Sequence, residues 1–211
     1  MRVSTASFAP ILLLALVAPA FAQSPGPITG ARVIEPEARL AGAYLLTSDH
    51  SFGALAQLRL SYYPGVDFGF QGGLVNLEEG STDRTLVRVG ADVRAALARA
   101  STTGFDLTAG AGLGIDSGDD VNALSFGPFV TAGVELLAGD RARVSPFATV
   151  GLALSRLNAG DRDESDVSLP IRLGFEATLG QTARLLAEAR LNFNDSIRDD
   201  FELVLGGSTT F

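Results

Sequence analysis

Residue types that could support hydrolysis meet at one point of the sequence, in the stretch TSDHSF around the only histidine, His50. Ser48, Asp49 and Ser51 surround His50, so that a nucleophile, a base and an acid are all present. Adjacent residues of a turn point in different directions, however, whereas a catalytic triad needs groups that converge from separate segments. The sequence therefore favours a solvated turn residue at His50 and predicts no catalytic residue.

Two acidic stretches offer oxygen atoms to a metal ion. They are DSGDD, with Asp116, Asp119 and Asp120, and DRDESD, with Asp161, Asp163, Glu164 and Asp166. Neither has the twelve-residue spacing, the internal glycine and the final glutamate of a calcium loop. The chain also has no cysteine for a thiolate site. We therefore expect no cofactor and no dedicated metal site, only a diffuse attraction of cations to these acids.

A larger set of charged residues recurs at every second position, among glycines and alanines. This spacing places the charges on one face of β-strands. If the segments before and after residues 180 to 182 form a hairpin, Glu176 comes close to Arg184, and Glu188 comes close to Arg172. We predict that these charges form a network inside a barrel, where opposite charges must pair or stay hydrated. Its principal members are Arg59, Arg88, Asp92, Arg94, Arg172, Glu176, Arg184, Glu188 and Arg190.

The elements that carry these charges alternate with period two throughout the chain. In LPIRLGFEATL, for example, Leu169, Ile171, Leu173 and Phe175 share one face, and the charged or small residues share the other. No segment after the first 22 residues has the 18 uninterrupted apolar residues of a spanning helix. Ten such strands are predicted, at approximately 38–47, 52–63, 66–77, 84–99, 105–115, 123–137, 143–157, 168–179, 183–193 and 199–211.

The connections between these strands differ systematically at the two ends. Those after even-numbered strands are short and nearly free of acid, such as PG and GQT, whereas those after odd-numbered strands are mostly longer and acidic. A soluble β-sandwich needs no such difference. A bacterial outer-membrane barrel has short turns on the periplasmic side, longer loops outside and an even strand number. The pattern predicts an all-β, closed, antiparallel up-and-down transmembrane barrel with acidic external loops.

Pairs of aromatic and glycine residues support this geometry. A turn around residues 139 to 141 places Phe147 opposite Gly133, and Phe129 opposite Gly151, on the inner face. Each ring then covers a glycine, as occurs in strongly curved sheets.

The N-terminus has the pattern of an export signal: Arg2, then the apolar stretch APILLLALVAPA, then the small residues Ala20 and Ala22 around a cleavage site. We expect a cleaved signal peptide over residues 1–22, a periplasmic lead-in over 23–37 and the barrel domain over 38–211. The net charge of −8 argues against nucleic acid as a partner, since phosphate binding needs a basic face. Nothing in the sequence indicates an oligomeric state.

The C-terminal stretch FELVLGGSTTF is an amphipathic strand that ends on an aromatic residue. It resembles the assembly signal of small outer-membrane β-barrel proteins of Gram-negative cells, and Phe211, Leu205 and Leu203 match that signal. The whole chain is similar to the transmembrane barrel of the outer-membrane protein A family, without its periplasmic domain. This resemblance implies the barrel assembly machinery, outer-membrane lipid and lipopolysaccharide as partners. It also leaves eight strands as an alternative to ten.

Three functions remain open. The favoured one is a non-enzymatic structural or surface-interaction barrel in the outer membrane. The alternatives are a narrow, porin-like channel or conduit for small ligands, and an outer-membrane hydrolase or lipid A acyltransferase.

Overall fold

Ten strands follow one another along the chain and build the wall of a barrel in a computed structural model. The structure describes residues 27–79, 82–119, 121–137, 142–159, 162–180, 182–193 and 201–211. The proposed signal peptide lies outside these residues. The strands are β1 (Arg39–Ser48), β2 (Ser51–Tyr63), β3 (Val66–Glu79), β4 (Thr82–Ala98), β5 (Asp106–Gly118), β6 (Val121–Gly133), β7 (Leu136–Leu137), β8 (Ala142–Gly151), β9 (Ala153–Ala159), β10 (Arg162–Leu179), β11 (Ala183–Phe193) and β12 (Phe201–Thr210).

Two of these labels describe parts of a single wall strand. β8 and β9 are separated only by Leu152, whose N–H still donates to the carbonyl of Pro128 at 3.0 Å. The two-residue β7 pairs with the beginning of β8 and extends the wall locally. The wall therefore has ten strands, which confirms the predicted number and shows that the eight-strand alternative is wrong.

The wall closes because its last strand pairs with its first. β12 runs antiparallel to β1 over nine partners, from Leu40 opposite Thr210 to Ser48 opposite Glu202. Each remaining wall strand pairs antiparallel with its neighbours in the sequence. The result is the up-and-down barrel that the period-two pattern predicts. Below, the end with Arg39 and Thr210 is the terminal end, and the opposite end is the distal end.

The side chains are distributed in the opposite way to those of a soluble protein, with apolar residues on the outer face and charged residues on the inner face. Val89 and Leu173 point outward with 45% and 50% of their surfaces exposed, whereas Arg88 and Arg172 point inward with 5% and 2% exposed. Strand alternation causes this, because adjacent residues lie on opposite faces. An apolar exterior around a charged interior is the arrangement of a transmembrane barrel.

Turn chemistry explains the short connections of the terminal end. Pro64 and Gly65 join β2 to β3, and Gly65 has a φ of 79°; proline fixes the first turn position and glycine accepts the positive φ of the second. One short helix, α1 (Ala100–Thr103), connects β4 to β5. None of the helices in the described ranges has the length and apolar character needed to cross a membrane.

The start of β10 shows the largest difference from the predicted strand boundaries. β10 starts at Arg162, six residues before the predicted start, because Arg162 to Ser168 pair with β9. Much of the acidic stretch DRDESD is therefore strand and not loop, and a hairpin of β9 and β10 extends the wall at the distal end.

Candidate functional site

The lumen near the terminal end contains a fully buried cluster of four charges, Arg59, Asp67, Asp92 and Arg94, called here the proximal cluster. Arg59 donates to both carboxylates, with its Nη2 2.6 Å from Asp67 Oδ1 and 2.6 Å from Asp92 Oδ1. Arg94 grips Asp67 with Nε and Nη2 at 2.9 and 2.7 Å. Such bidentate pairs offset the high cost of burying ions. They also join β2, β3 and β4 from the inside.

A second group, the central cluster, lies nearer the distal end and contains Arg88, Asp116, Glu188, Arg190 and Glu202. Arg88 Nε and Nη2 lie 2.8 and 3.0 Å from the two oxygens of Asp116. Arg190 pairs with Glu188 on its own strand and with Glu202 at 2.8 Å. Glu202 also faces Arg88 at 3.6 Å. The network therefore connects β4 to β12 and β11 across the closure of the barrel.

The predicted hairpin contacts can be compared with the register of β10 and β11. Arg184 Nη1 lies 3.2 Å from Glu176 Oε1, as the sequence predicts. Glu188 stands opposite Gly174, two positions along from Arg172. The closest cation to the Glu188 carboxylate, however, is Arg190. Thus the structure brings all nine predicted network residues to the inner face, and Asp67, Asp116 and Glu202 complete their pairs.

An apolar layer, which the sequence analysis did not identify, fills the distal part of the lumen. Its side chains come from strands around the wall and are each at most 4% exposed. These side chains pack against one another, whereas a water-filled lumen would leave them accessible. The sequence does contain a signal for this layer: Leu86 lies two positions before Arg88 on the same strand and therefore shares its inner face. The layer consists of Leu46, Val75, Leu77, Leu86, Val121 and Leu157.

Residues 27–34, called here the inner segment, occupy the terminal half of the lumen. Ile28 and Ile34 are almost fully buried. Glu176 accepts hydrogen bonds from Gly30 N–H at 3.0 Å and from the Thr29 hydroxyl at 3.2 Å, while Arg94 donates to the Gly30 carbonyl at 2.7 Å. The sequence analysis expects a periplasmic lead-in over 23–37. The structure instead holds this part of it between the walls, because lumenal charges bind its backbone.

The paired aromatic and glycine residues lie on the inner face in the predicted register. Phe147 is opposite Gly133, and Phe129 is opposite Gly151. Each ring, however, reaches across to a different glycine. A Cβ on Gly174 would lie 2.6 Å from Phe147 Cζ, and one on Gly110 would lie 2.6 Å from Phe129 Cζ. These glycines therefore provide the space into which the rings pack.

The C-terminal residues lie where the resemblance to an assembly signal requires them. Leu203 and Leu205 are on the outward face of β12, and Leu205 and Phe211 are exposed. The N–H of Phe211 donates to the carbonyl of Arg39 at 2.9 Å, next to the closing pair of strands. Their role in assembly remains a prediction.

The residues around His50 lie at the distal end of the wall. His50 is exposed at the distal end, and its carbonyl accepts a hydrogen bond from Glu78 N–H at 2.8 Å. The Ser48 and Ser51 hydroxyls bond each other at 2.7 Å. Within the described ranges, no group of three or more histidines and acids is arranged to hold a metal ion. Asp120 and Asp161 of the acidic stretches lie outside those ranges.

Comparisons with known proteins find similarity at the level of barrel structures. No family model and no curated protein matches this sequence. The N-terminal β-barrel domain of Pseudomonas aeruginosa OprF is 9% identical, with a TM-score of 0.38, over 83% of this chain and 98% of that one. The β domain of the Bordetella autotransporter BrkA is 15% identical, with a TM-score of 0.42, over 82% and 98%.

A third solved structure, described as the KdgM porin in complex with disordered oligogalacturonate, is 10% identical, with a TM-score of 0.38, over 82% and 99% of the two chains. The assignment of this chain depends on its own chemistry: a wall closed by β1 and β12, apolar residues outside, and paired ions inside. It is a small transmembrane β-barrel of the outer-membrane class.

Proposed function

We propose that this protein is a sealed, non-enzymatic barrel of the outer membrane, with a structural or surface-interaction role. The observation that carries the proposal is the apolar layer, whose side chains exclude water from the distal lumen. A conduit needs a continuous polar path, and this layer interrupts it. Below the layer, the buried ion pairs of the proximal and central clusters occupy the lumen.

The proposed orientation places the terminal end in the periplasm and the distal end outside the cell. The distal end carries the hairpin of β9 and β10, whose Arg156 and Asp163 pair at 2.6 Å with more than half of each side-chain surface exposed. Acids of this end would attract divalent cations and, through them, lipopolysaccharide phosphates. Outer-membrane lipid contacts the apolar belt, and the barrel assembly machinery reads the C-terminal strand. No catalytic role is proposed for His50.

Single-channel recording in planar bilayers tests the sealed barrel. We expect no discrete conductance steps from the purified full chain. The faster gel migration of the unheated protein verifies its insertion. A matched control is a known open porin reconstituted in the same lipid. Reproducible openings from the unmodified chain would refute the proposal and favour the conduit.

A further inference from the structure

We propose that the terminal half of the lumen is a peptide-binding site, which the inner segment, residues 27–34, occupies as an exchangeable ligand. The site would take a short peptide with small residues at its centre and apolar residues on both sides. This goes beyond a sealed barrel, because it assigns a ligand class to the part of the lumen below the apolar layer.

The wall recognises the inner segment mainly through its backbone. Gln57, with its amide oriented to match, bonds Ile28 N–H and C=O at 3.2 and 3.1 Å. Arg94 donates to the carbonyl of Gly30 at 2.7 Å and to that of Arg32 at 3.2 Å. Because these contacts recur at residues 28, 30 and 32, the wall reads alternate peptide units, as peptide-binding proteins do when they bind main-chain groups.

Two further backbone contacts fix the ends of the segment. Asp67 accepts from Ile34 N–H at 3.2 Å, and Arg172 donates to the carbonyl of Pro27 at 3.1 Å. Apolar side chains then provide anchors, since Ile28 and Ile34 are 0% and 3% exposed. A Cβ at Gly30 would lie 3.4 Å from the Glu176 side chain. The site therefore accepts a glycine or an alanine there and excludes larger residues.

Three of the charges that hold the segment, Asp67, Arg94 and Glu176, also have partners in the wall. Asp67 is gripped by Arg94 and Arg59, and Glu176 pairs with Arg184 at 3.2 Å. Releasing the segment would therefore not leave these ions unpaired, which is the main penalty for breaking a buried network. The site is built by the wall and does not depend on the segment for its charge balance.

Space beside the segment provides a route for release. A cavity of about 510 Å³ opens at the terminal end, between residues 31–35 of the chain and the ends of β4 and β5. Arg32 reaches across it to Glu135 at 3.2 Å, in a partly exposed ion pair. Exposed pairs of this kind contribute little stability. Arg32 is the exposed residue of the inner segment, and it faces this cavity.

The experiment uses the full chain with the substitutions Ala31→Cys and Gly133→Cys. A Cβ on Gly133 would lie 2.9 Å from Ala31 Cβ, closer than the roughly 3.5 to 4.5 Å of a disulfide, so the two backbones must move apart slightly before a disulfide locks the segment in place. A fluorescent synthetic peptide of residues 27–35 serves as the probe, and anisotropy measures its binding. We expect saturable binding to the reduced double variant and at least tenfold weaker binding to the oxidised one.

A peptide with Gly30→Pro lacks the backbone N–H that donates a hydrogen bond to Glu176. We expect this peptide to bind at least fivefold more weakly than the unmodified one. Among wall variants, Glu176→Gln should weaken binding of the unmodified peptide, whereas Glu188→Gln, which alters a central-cluster acid away from the segment, should not. Equal binding to the reduced and oxidised forms, or no saturable binding to the folded reduced form, would overturn the proposal.

If the double variant does not fold, maleimide labelling of the single variant Ala31→Cys replaces anisotropy. Added peptide must then accelerate labelling, and an unchanged rate refutes exchange.

Discussion

At the residue scale, burial determines the importance of each ion pair. Arg59 and its two acids are withdrawn from solvent, whereas Arg156 and Asp163 keep 64% and 51% of their side-chain surfaces exposed at the same 2.6 Å separation. The Coulomb attraction is strong only where water is excluded. Removing one member of a buried pair leaves its partner as an uncompensated ion. Equal distances therefore do not imply equal contributions to stability.

This contrast predicts different effects for two chemically identical substitutions. Asp92→Asn leaves Arg59 with one carboxylate in the lumen, and we expect it to lower the free energy of unfolding by about 3 to 5 kcal/mol. Asp163→Asn breaks an exposed pair, and we expect a much smaller loss, because solvent screens the attraction. Urea titration in lipid vesicles, with the heat-modifiable gel shift as the measure of folded protein, compares the two. Similar losses would mean that the proximal cluster is hydrated.

At the element scale, the wall strands are predictable from the sequence, whereas the segment and side chains that fill the lumen are less predictable. The period-two pattern around Arg172 and Leu173 is local, and it was sufficient to predict the wall strand and the face of each residue. The start of β10 was missed because an acidic sequence such as DRDESD has no apolar face, and its strand depends on pairing with β9. Hydrogen-bond partners, and not hydrophobic alternation, define that hairpin.

Contacts of the inner segment could not be predicted, for a different reason. Gly30 and Glu176 are 146 residues apart in sequence. Their bond uses a backbone N–H, which every residue except proline provides. No residue type or spacing therefore marks the segment as a lumenal element. The apolar layer, in contrast, is predictable, because Leu77 and Leu86 alternate in step with inner-face residues of their strands. A prediction that considers only the charged residues of the inner face does not find it.

The last strand provides a prediction at the same scale. Phe211→Ala keeps the backbone bond to Arg39, so refolding of the purified chain in detergent should be unchanged. If the aromatic ring is an assembly signal, the amount of barrel inserted in the outer membrane of cells should fall severalfold. Phe201→Ala, at the other end of β12, removes an equally large exposed ring and is the matched control. A parallel decrease for both variants would indicate a general loss of stability, and no decrease for Phe211→Ala would refute the signal.

At the scale of the whole molecule, the two faces of the wall have different surroundings, lipid on the outside and a charged, packed lumen on the inside. Lipid contacts the outer face, so that Leu173 and its neighbours can be exposed without favouring aggregation, as an apolar surface of this size would in water. Inside, buried arginines pair with acids, and the inner segment and the apolar layer occupy much of the remaining space. In the described ranges the wall closes between β1 and β12, which pairs the backbone groups there as a membrane interior requires.

Depth in the membrane then gives a test of the whole arrangement. Leu173→Arg places a cation in the middle of the apolar belt of β10, and we expect a loss of about 2 to 4 kcal/mol in vesicles. Val167→Arg alters an outward residue that is similarly exposed, 54% against 50%, but lies toward the distal end. We expect about 0 to 1 kcal/mol there. In a water-soluble barrel, both substitutions would be nearly neutral, since exposed positions tolerate charge. Urea unfolding of both variants in the same vesicles therefore distinguishes a lipid-facing wall from a solvated one. Equal, small effects at the two positions would contradict the membrane assignment.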